Sequence, residues 1–269
     1  MDRQNHLQEL VDKVSNTKKY QAINPQLVKH LVKKAVAKGL KEKEVIKEVR
    51  GKLHQVGGAY LRHHQDYDTA KQELSQLPAD LPSEELKQFC VNTMQLHAST
   101  NERLTIVQDF FEVCLESIAP LTKILDLACG LNPLALPWMP TAQDFTYDCC
   151  DIYQDMMAFL QIFFNHCQVN SQAHLCNLVS DLPGGDFQIT FLLKSIPCLE
   201  QLEKDITLRL LEELNSSHIL VSFPVHSLSG QNKGMPNFYR DNFYQLLKNK
   251  PWEIQEFSFS SELAFLISK

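Results

Sequence analysis

The sequence predicts an α/β fold in which a helical N-terminal region precedes a mostly parallel sheet covered on both faces. Three observations predict it. The first hundred residues place apolar side chains at helical spacing among many charges. From about residue 104 short apolar runs alternate with helical stretches, and the chain closes on two consecutive apolar runs with no helix between them. Strands separated by helices build βαβ units, whose parallel sheet is buried on both sides.

Asn24-Pro25 reads as an N-cap followed by proline at the first helical position, and Leu27, Val28, Leu31, Val32 and Val36 then recur at helical spacing until Gly39. A second helix is predicted over residues 42–53, with Val45, Ile46 and Val49 inward and Lys43, Lys47, Arg50 and Lys52 outward. After Gly57-Gly58 a polar stretch follows. Pro78 and Pro82 then mark a turn before Ser83-Glu84-Glu85 opens another helix. Residues 104–118 read as helical and residues 123–127 as a buried strand ending in Ala128-Cys129-Gly130. Further strands are predicted at 145–150, 173–178, 187–193 and 218–223, with helices at 154–167 and 200–214 between them. Residues 252–259 and 262–267 read as a closing hairpin. An antiparallel hairpin added to a parallel sheet is typical of Rossmann-like class I methyltransferases.

The formal charge of −6 conceals a division. Residues 1–65 carry 14 Lys+Arg against 6 Asp+Glu, a net of +8, while the other 204 residues carry 12 against 26, a net of −14. The whole-chain charge is therefore a poor guide to partners. At 44% hydrophobic residues the chain can bury a sizeable core, which excludes global disorder. There is no apolar run of about 18 residues, and the N-terminus lacks the apolar centre of a signal peptide, so a cytoplasmic protein with no membrane contact is expected. Eight cysteines without a Cys-x-x-Cys pair suggest reduced, buried thiols and no metal site.

In an open α/β sheet the ligand sits beyond the carboxyl ends of the strands. The loop after the first strand, Ala128-Cys129-Gly130-Leu131-Asn132-Pro133, holds one glycine, so it suits a cofactor without phosphates better than a dinucleotide. Asp151 follows Gly130 by 21 residues, at the end of the second strand. A carboxylate at that place can accept hydrogen bonds from both ribose hydroxyls of a nucleoside. Asn177-Leu178, ending the predicted third strand, would offer an amide and an apolar face to adenine. The plainer reading makes Asp126, Asp148 and Asp151 ordinary strand-end or capping acids.

Several segments together resemble a known family: His97-Ala98-Ser99-Thr100-Asn101-Glu102-Arg103-Leu104, the loop from Ile124 to Leu136, Val221-Ser222-Phe223-Pro224, Ser227-Leu228 and Lys233-Gly234-Met235. Thr17-Lys18-Lys19-Tyr20, Leu53-His54 and Gly58-Ala59-Tyr60 add to them. In order and spacing the chain is similar to the aminoglycoside-resistance 16S rRNA (guanine-N7) methyltransferases. The resemblance implies an enzyme that methylates N7 of guanine 1405 of 16S rRNA in assembled 30S subunits with S-adenosylmethionine, acting as a monomer. It further implies resistance to 4,6-disubstituted deoxystreptamine aminoglycosides. It divides the chain into a basic, ribosome-binding helical domain over 1–100 and a methyltransferase domain over 101–269.

By the same resemblance Arg103 holds the methionine carboxylate of the cofactor, and His97, Ala98 and Ser99 line that end. Ala128 and Gly130 form the loop, Asp151 takes the ribose, Asn177 and Leu178 the adenine, and Tyr60 and Leu193 touch the cofactor from either side. Lys194 is the candidate contact to guanine O6, Lys233 to a phosphate. Phe223, or an aromatic of Phe238-Tyr239, is the candidate to stack on an extruded guanine. Departures from the family pattern stand at Asn177, where Asp is expected, and at His226 and Gln231, where Arg is expected. The basic helices gain a purpose, because clustered Lys and Arg supply phosphate contacts without reading sequence. Two alternatives are a methyltransferase for another base and a noncatalytic RNA-binding protein that kept the core.

Overall fold

The computed structural model describes residues 3–61, 67–226 and 235–269. Its helices are α1 (Arg3–Ser15), α2 (Pro25–Ala37), α3 (Glu42–Leu53), α4 (Tyr67–Leu74), α5 (Glu84–Met94), α6 (Ala98–Arg103), α7 (Val107–Leu115), α8 (Gln154–His166), α9 (Ile196–Leu202), α10 (Ile206–Glu213) and α11 (Met235–Leu247). The strands are β1 (Leu121–Leu127), β2 (Thr141–Asp151), β3 (Asn170–Leu175), β4 (Phe187–Leu193), β5 (Ser216–Pro224), β6 (Glu253–Ser258) and β7 (Glu262–Ser268). They form one sheet in the order β3-β2-β1-β4-β5-β7-β6, parallel from β3 to β5, with β7 antiparallel to both β5 and β6. This is the expected Rossmann-like α/β sheet with its closing hairpin.

Local chemistry sets most boundaries. The Asn24 side chain accepts the Gln26 amide at 2.8 Å with Pro25 at the first helical position, and Gly39, at φ +76°, lets the chain leave α2. Ser83 caps α5 in the same way through Leu86. Three differences from the sequence reading have local causes. The third strand starts and ends three residues earlier, because Asn177 makes a turn: its Oδ1 accepts the Val179 amide and its carbonyl accepts those of Ser180 and Asp181. The helix expected at 200–214 is two, α9 and α10, divided at Asp205 with φ +63°. The polar stretch before Pro78 contains α4.

Two apolar clusters sandwich the sheet. Along β1, Ile124 belongs to one and Leu125 and Leu127 to the other; along β5, Leu220 alternates likewise with Ile219 and Val221. The first cluster also takes in Leu10, Val14, Leu27 and Val32 of the N-terminal helices, so the basic region shares its core with the sheet. Its attachment is also polar. Ile23 pairs with Tyr153, the Asn24 amide donates to Ile152 O at 2.7 Å, and Lys34 of α2 donates to Leu202 O and Glu203.

At the centre lies a buried chain of charges. Arg103 Nε and Nη2 donate to Glu262 at 3.0 and 2.6 Å, its Nη1 donates to Asn132 Oδ1 at 2.7 Å, and its guanidinium lies 4.9 Å from the Phe110 ring centroid. Asn132 Nδ2 and Tyr147 Oη donate in turn to Asp126 Oδ2 at 2.8 and 2.7 Å. Arg103 and Glu262 are essentially inaccessible to solvent. Removing one partner strands the other charge in the core. Glu262→Ala should therefore lower unfolding free energy in urea by about 3–5 kcal/mol, while the double substitution Arg103→Met with Glu262→Leu should cost less than Glu262→Ala alone.

Candidate active site

The strand order reverses between β1 and β4, where an open α/β sheet offers its crevice. A cleft open to solvent, with a cavity volume of about 80 Å³, lies there. Ala128 after β1, Asp151, Ile152 and Tyr153 at the end of β2, and Leu193, Lys194 and Ser195 at the end of β4 form part of its wall. Cys198, Leu199 and Leu202 of α9 form another part, and Val56, Gly57, Tyr60, His97 and Ser99 complete it. Val56 and Gly57 belong to the π-helical turn His54–Gly58 that continues α3 directly. The edge is conformationally strained: Ala128, Gly130 and Lys194 take φ of +50°, +53° and +56°. For the two non-glycine residues this costs roughly 1–3 kcal/mol each, a strain that sites of this kind commonly store.

Asp151 is fixed by its neighbours. Its Oδ2 accepts the Gly130 amide at 2.9 Å and its Oδ1 that of Ile152 at 2.6 Å. Burial pushes its pKa up, and the backbone amides of Gly130, Ile152 and Tyr153 oppose the rise. His97 stacks on Tyr60 with ring centroids 6.0 Å apart, and its Nδ1 shares a 2.9 Å hydrogen bond with Ser99 Oγ. Burial first, then the nearby Arg103 and Lys194 cations, lower its pKa to about 4, so the ring is neutral near pH 7. A Cβ on Gly130 would stand 2.8 Å from His97 Cε1. Glycine is thus required there both for its φ and for the closeness of the imidazole.

Of the residues singled out in the sequence, Tyr60, His97, Ser99, Ala128, Asp151, Leu193 and Lys194 meet on this wall. Gly130 stands behind Asp151, and the Ala98 amide holds Tyr60 O at 2.8 Å. Arg103 is not on the wall; Glu262 and Asn132 occupy its guanidinium. Asn177 and Leu178 are also elsewhere. The Asn177 amide is consumed by its own turn, with Nδ2 donating to Ser180 Oγ at 3.1 Å, and Leu178 packs in the second core cluster. The expectation that Phe223 is open to a base is corrected: it is 3% exposed, packed among Tyr239, Phe243 and Phe265. Lys194, on the wall, is itself buried, and Glu102 and Glu262 hold its Nζ at 2.9 and 3.4 Å. Lys233 and Gln231 lie outside the described residues.

Sequence reasoning missed Ile152, Tyr153, Ser195 and Cys198. The first two were within reach, because they directly follow the ribose-type carboxylate. Cys198 carried no signal; its thiol donates to Tyr60 Oη at 3.0 Å. Tyr153 Oη and Ser195 Oγ are buried with no hydrogen-bond partner among the described residues, and both residues line the cavity. Unpaired buried hydroxyls are costly, so the wall is built for a ligand that carries donors and acceptors. With the Asp151 carboxylate and the apolar Ile152, Leu193, Leu199 and Leu202, the donor set fits a nucleoside cofactor such as S-adenosylmethionine. Among the described residues no group of His, Cys, Asp or Glu is arranged to hold a metal ion.

The family described as ribosomal RNA methyltransferase (FmrO) matches residues 16–266. The 16S rRNA (guanine(1405)-N(7))-methyltransferase of Micromonospora echinospora is 27% identical over 258 residues, covering 95% of this chain and 94% of its own. The protein of the same description from Micromonospora rosea is 28% identical over 270 residues, covering 100% and 97%. The crystal structure of 16S rRNA methyltransferase RmtF in complex with S-adenosyl-L-homocysteine superposes with a TM-score of 0.83 at 25% identity, covering 100% of this chain and 99% of that one.

The neutral His97 makes a pH prediction. Its folded pKa of about 4 lies below the ordinary 6.5, so its contribution to stability is complete above pH 6.5 and is lost as pH falls toward 4. Asp126 runs the other way: burial, only partly offset by Asn132 and Tyr147, raises its pKa to about 7, so its destabilisation grows as pH rises through 3.8 to 7. The His97→Gln variant should therefore lose the acid-side decline, leaving the Asp126 trend. Urea midpoints measured from pH 4 to 7 check this, and parallel curves for variant and parent would contradict it.

Proposed function

The chain belongs to the ribosomal RNA methyltransferase (FmrO) family, and on that premise we propose that it transfers the methyl group of S-adenosylmethionine to N7 of guanine 1405 of 16S rRNA. The reaction takes place in the cytoplasm on assembled 30S subunits, by a monomer, and confers resistance to 4,6-disubstituted deoxystreptamine aminoglycosides. The observation that carries the reading is the cavity at the β1/β4 crevice, with Asp151 held by the Gly130 and Ile152 amides beside two unpartnered hydroxyls. Asp151 takes the ribose hydroxyls. Ile152, Leu193 and Leu199 receive the adenine, replacing Asn177 and Leu178 in that part. Tyr60, His97 and Ser99 line the amino-acid end, with Arg103 one layer behind them.

The cofactor, when bound, supplies a methyl group made electrophilic by its sulfonium. Guanine N7 carries a free lone pair, so the protein needs no general base. Its work is to align the reacting atoms and exclude water. Neutral His97 keeps a further cation away from a purine that gains positive charge. The Lys194 and Arg103 cations are balanced by Glu102 and Glu262. Glu102 and Glu262 use at most two of the three Lys194 N–H donors, so the third is available to guanine O6.

The first hundred residues are the part that meets the ribosome in this reading. Lys29, Lys33, Lys43 and Lys47 are exposed on α2 and α3 and have no carboxylate partner among the described residues. Arg50, expected on the same outward face, has a structural task instead: it donates to Val14 O, Lys13 O and Asn16 at the end of α1. The acidic remainder faces away from the ribosome. No helix among the described residues is long and apolar enough to cross a membrane.

Incubation with radiolabelled S-adenosylmethionine and either 30S subunits or free 16S rRNA, followed by strand scission at N7-methylguanine, tests the reaction. Label at position 1405 of the subunit rRNA is expected, and unlabelled subunits would sink the proposal. In calorimetry Asp151→Ala should weaken S-adenosylhomocysteine binding at least tenfold, the order of a lost charge-assisted hydrogen-bond pair. Lys43→Glu with Lys47→Glu should lower 30S affinity and flatten its salt dependence while leaving cofactor affinity unchanged.

A further inference from the structure

We propose that Phe238 is a stacking platform for an unpaired base of the RNA substrate, an inference that rests on the function proposed above. Phe238 is the most exposed large apolar side chain among the described residues, at 63%. It lies in the first turns of α11, which follows β5, so the topology places it at the carboxyl edge of the sheet. Ala128, Asp151 and Lys194 emerge at that same edge from β1, β2 and β4.

The ring is backed by rigid structure. Phe238 meets Tyr239 edge to face with centroids 5.7 Å apart, Tyr239 stacks on Phe223 at 4.8 Å, and Phe223 is wedged against Phe243 and Phe265. Tyr239 packs on the second apolar cluster, and the Cys198 thiol and Glu200 add to the rise in its pKa that burial begins. Cys198 is itself part of the cavity wall and donates to Tyr60. An aromatic column thus runs from the core, through half-buried Tyr239, to the exposed Phe238 ring. Large exposed aromatics on rigid backing are what proteins offer to unstacked bases, because every base has a π-face and stacking needs no particular hydrogen-bond pattern. The flanking Arg240 is held in place by Asn237 and Glu256.

The test compares Phe238→Leu and Phe238→Tyr with the parent in labelling of 30S subunits, with S-adenosylhomocysteine affinity and melting temperature measured on each. Leucine keeps the apolar bulk and removes the π-face. Phe238→Leu should lower kcat/KM by about tenfold or more, Phe238→Tyr should retain most of it, and cofactor affinity, melting temperature and the salt dependence of subunit binding should not move. If Phe238→Leu methylates as fast as the parent, or if Phe238→Tyr falls as far as Phe238→Leu, the proposal is overturned. Failure of the parent protein itself to label any subunit would instead overturn the functional reading beneath it.

Discussion

The molecule is organised around one buried ion pair. Arg103 closes a short helix, Glu262 opens the last strand, and the 158 residues between them hold the other six strands of the sheet. Bringing two such charges out of water is expensive and is offset only when every donor and acceptor is satisfied. Here the offset is extended. Asn132, Asp126 and Tyr147 carry the hydrogen bonds from the guanidinium into the loop after β1 and across to β2, while Ser222 and Lys194 serve Glu262 from β5 and β4. A change in the register of any of those strands would leave a charge unpaired. The pair therefore acts as a geometric standard for the carboxyl edge, and the strained Ala128 and Lys194 are held beside it.

That arrangement explains how much was legible beforehand. Residues 187–193 and 42–53 were readable to the residue, since a compact apolar run and an amphipathic repeat depend on near neighbours alone. Asp151 was readable because its position after a glycine-bearing loop follows from the length of one short crossover and the strand that comes after it. The motifs from His97 to Pro224 were specific enough to indicate a family whose description spans almost the entire chain. Two helices were missed although their spacing shows them: Leu7, Leu10, Val11 and Val14 in α1, and Tyr239, Phe243, Leu246 and Leu247 in α11.

What was not legible depends on contacts between distant segments. Nothing near Arg103 in sequence announces Glu262, so its charge was assigned to a ligand and not to a strand of the same protein. Nothing near Asn177 tells whether its amide serves adenine or its own turn, because both use the same two atoms. Phe223 failed in a similar way: residue type suggested chemistry, whereas burial among other aromatics decides its part. The cavity itself is assembled from residues 56–60, 97–99, 128, 151–153 and 193–202, and only the fold brings these together.

Gly57 shows what such assembly entails. It lies so close to Tyr153 that a single added methyl would stand 2.6 Å from the phenolic oxygen. During synthesis Gly57 leaves the exit tunnel long before Tyr153 exists, so the N-terminal helices must wait with one side of their core uncovered. The cavity wall is completed only when the two meet. The capacity to bind a ligand therefore arises late, from closure between an early and a later part of the chain, and an incomplete chain carries no functional fragment of the site. For a member of a ribosomal RNA methyltransferase family, activity is thus postponed until the chain can fold as a whole.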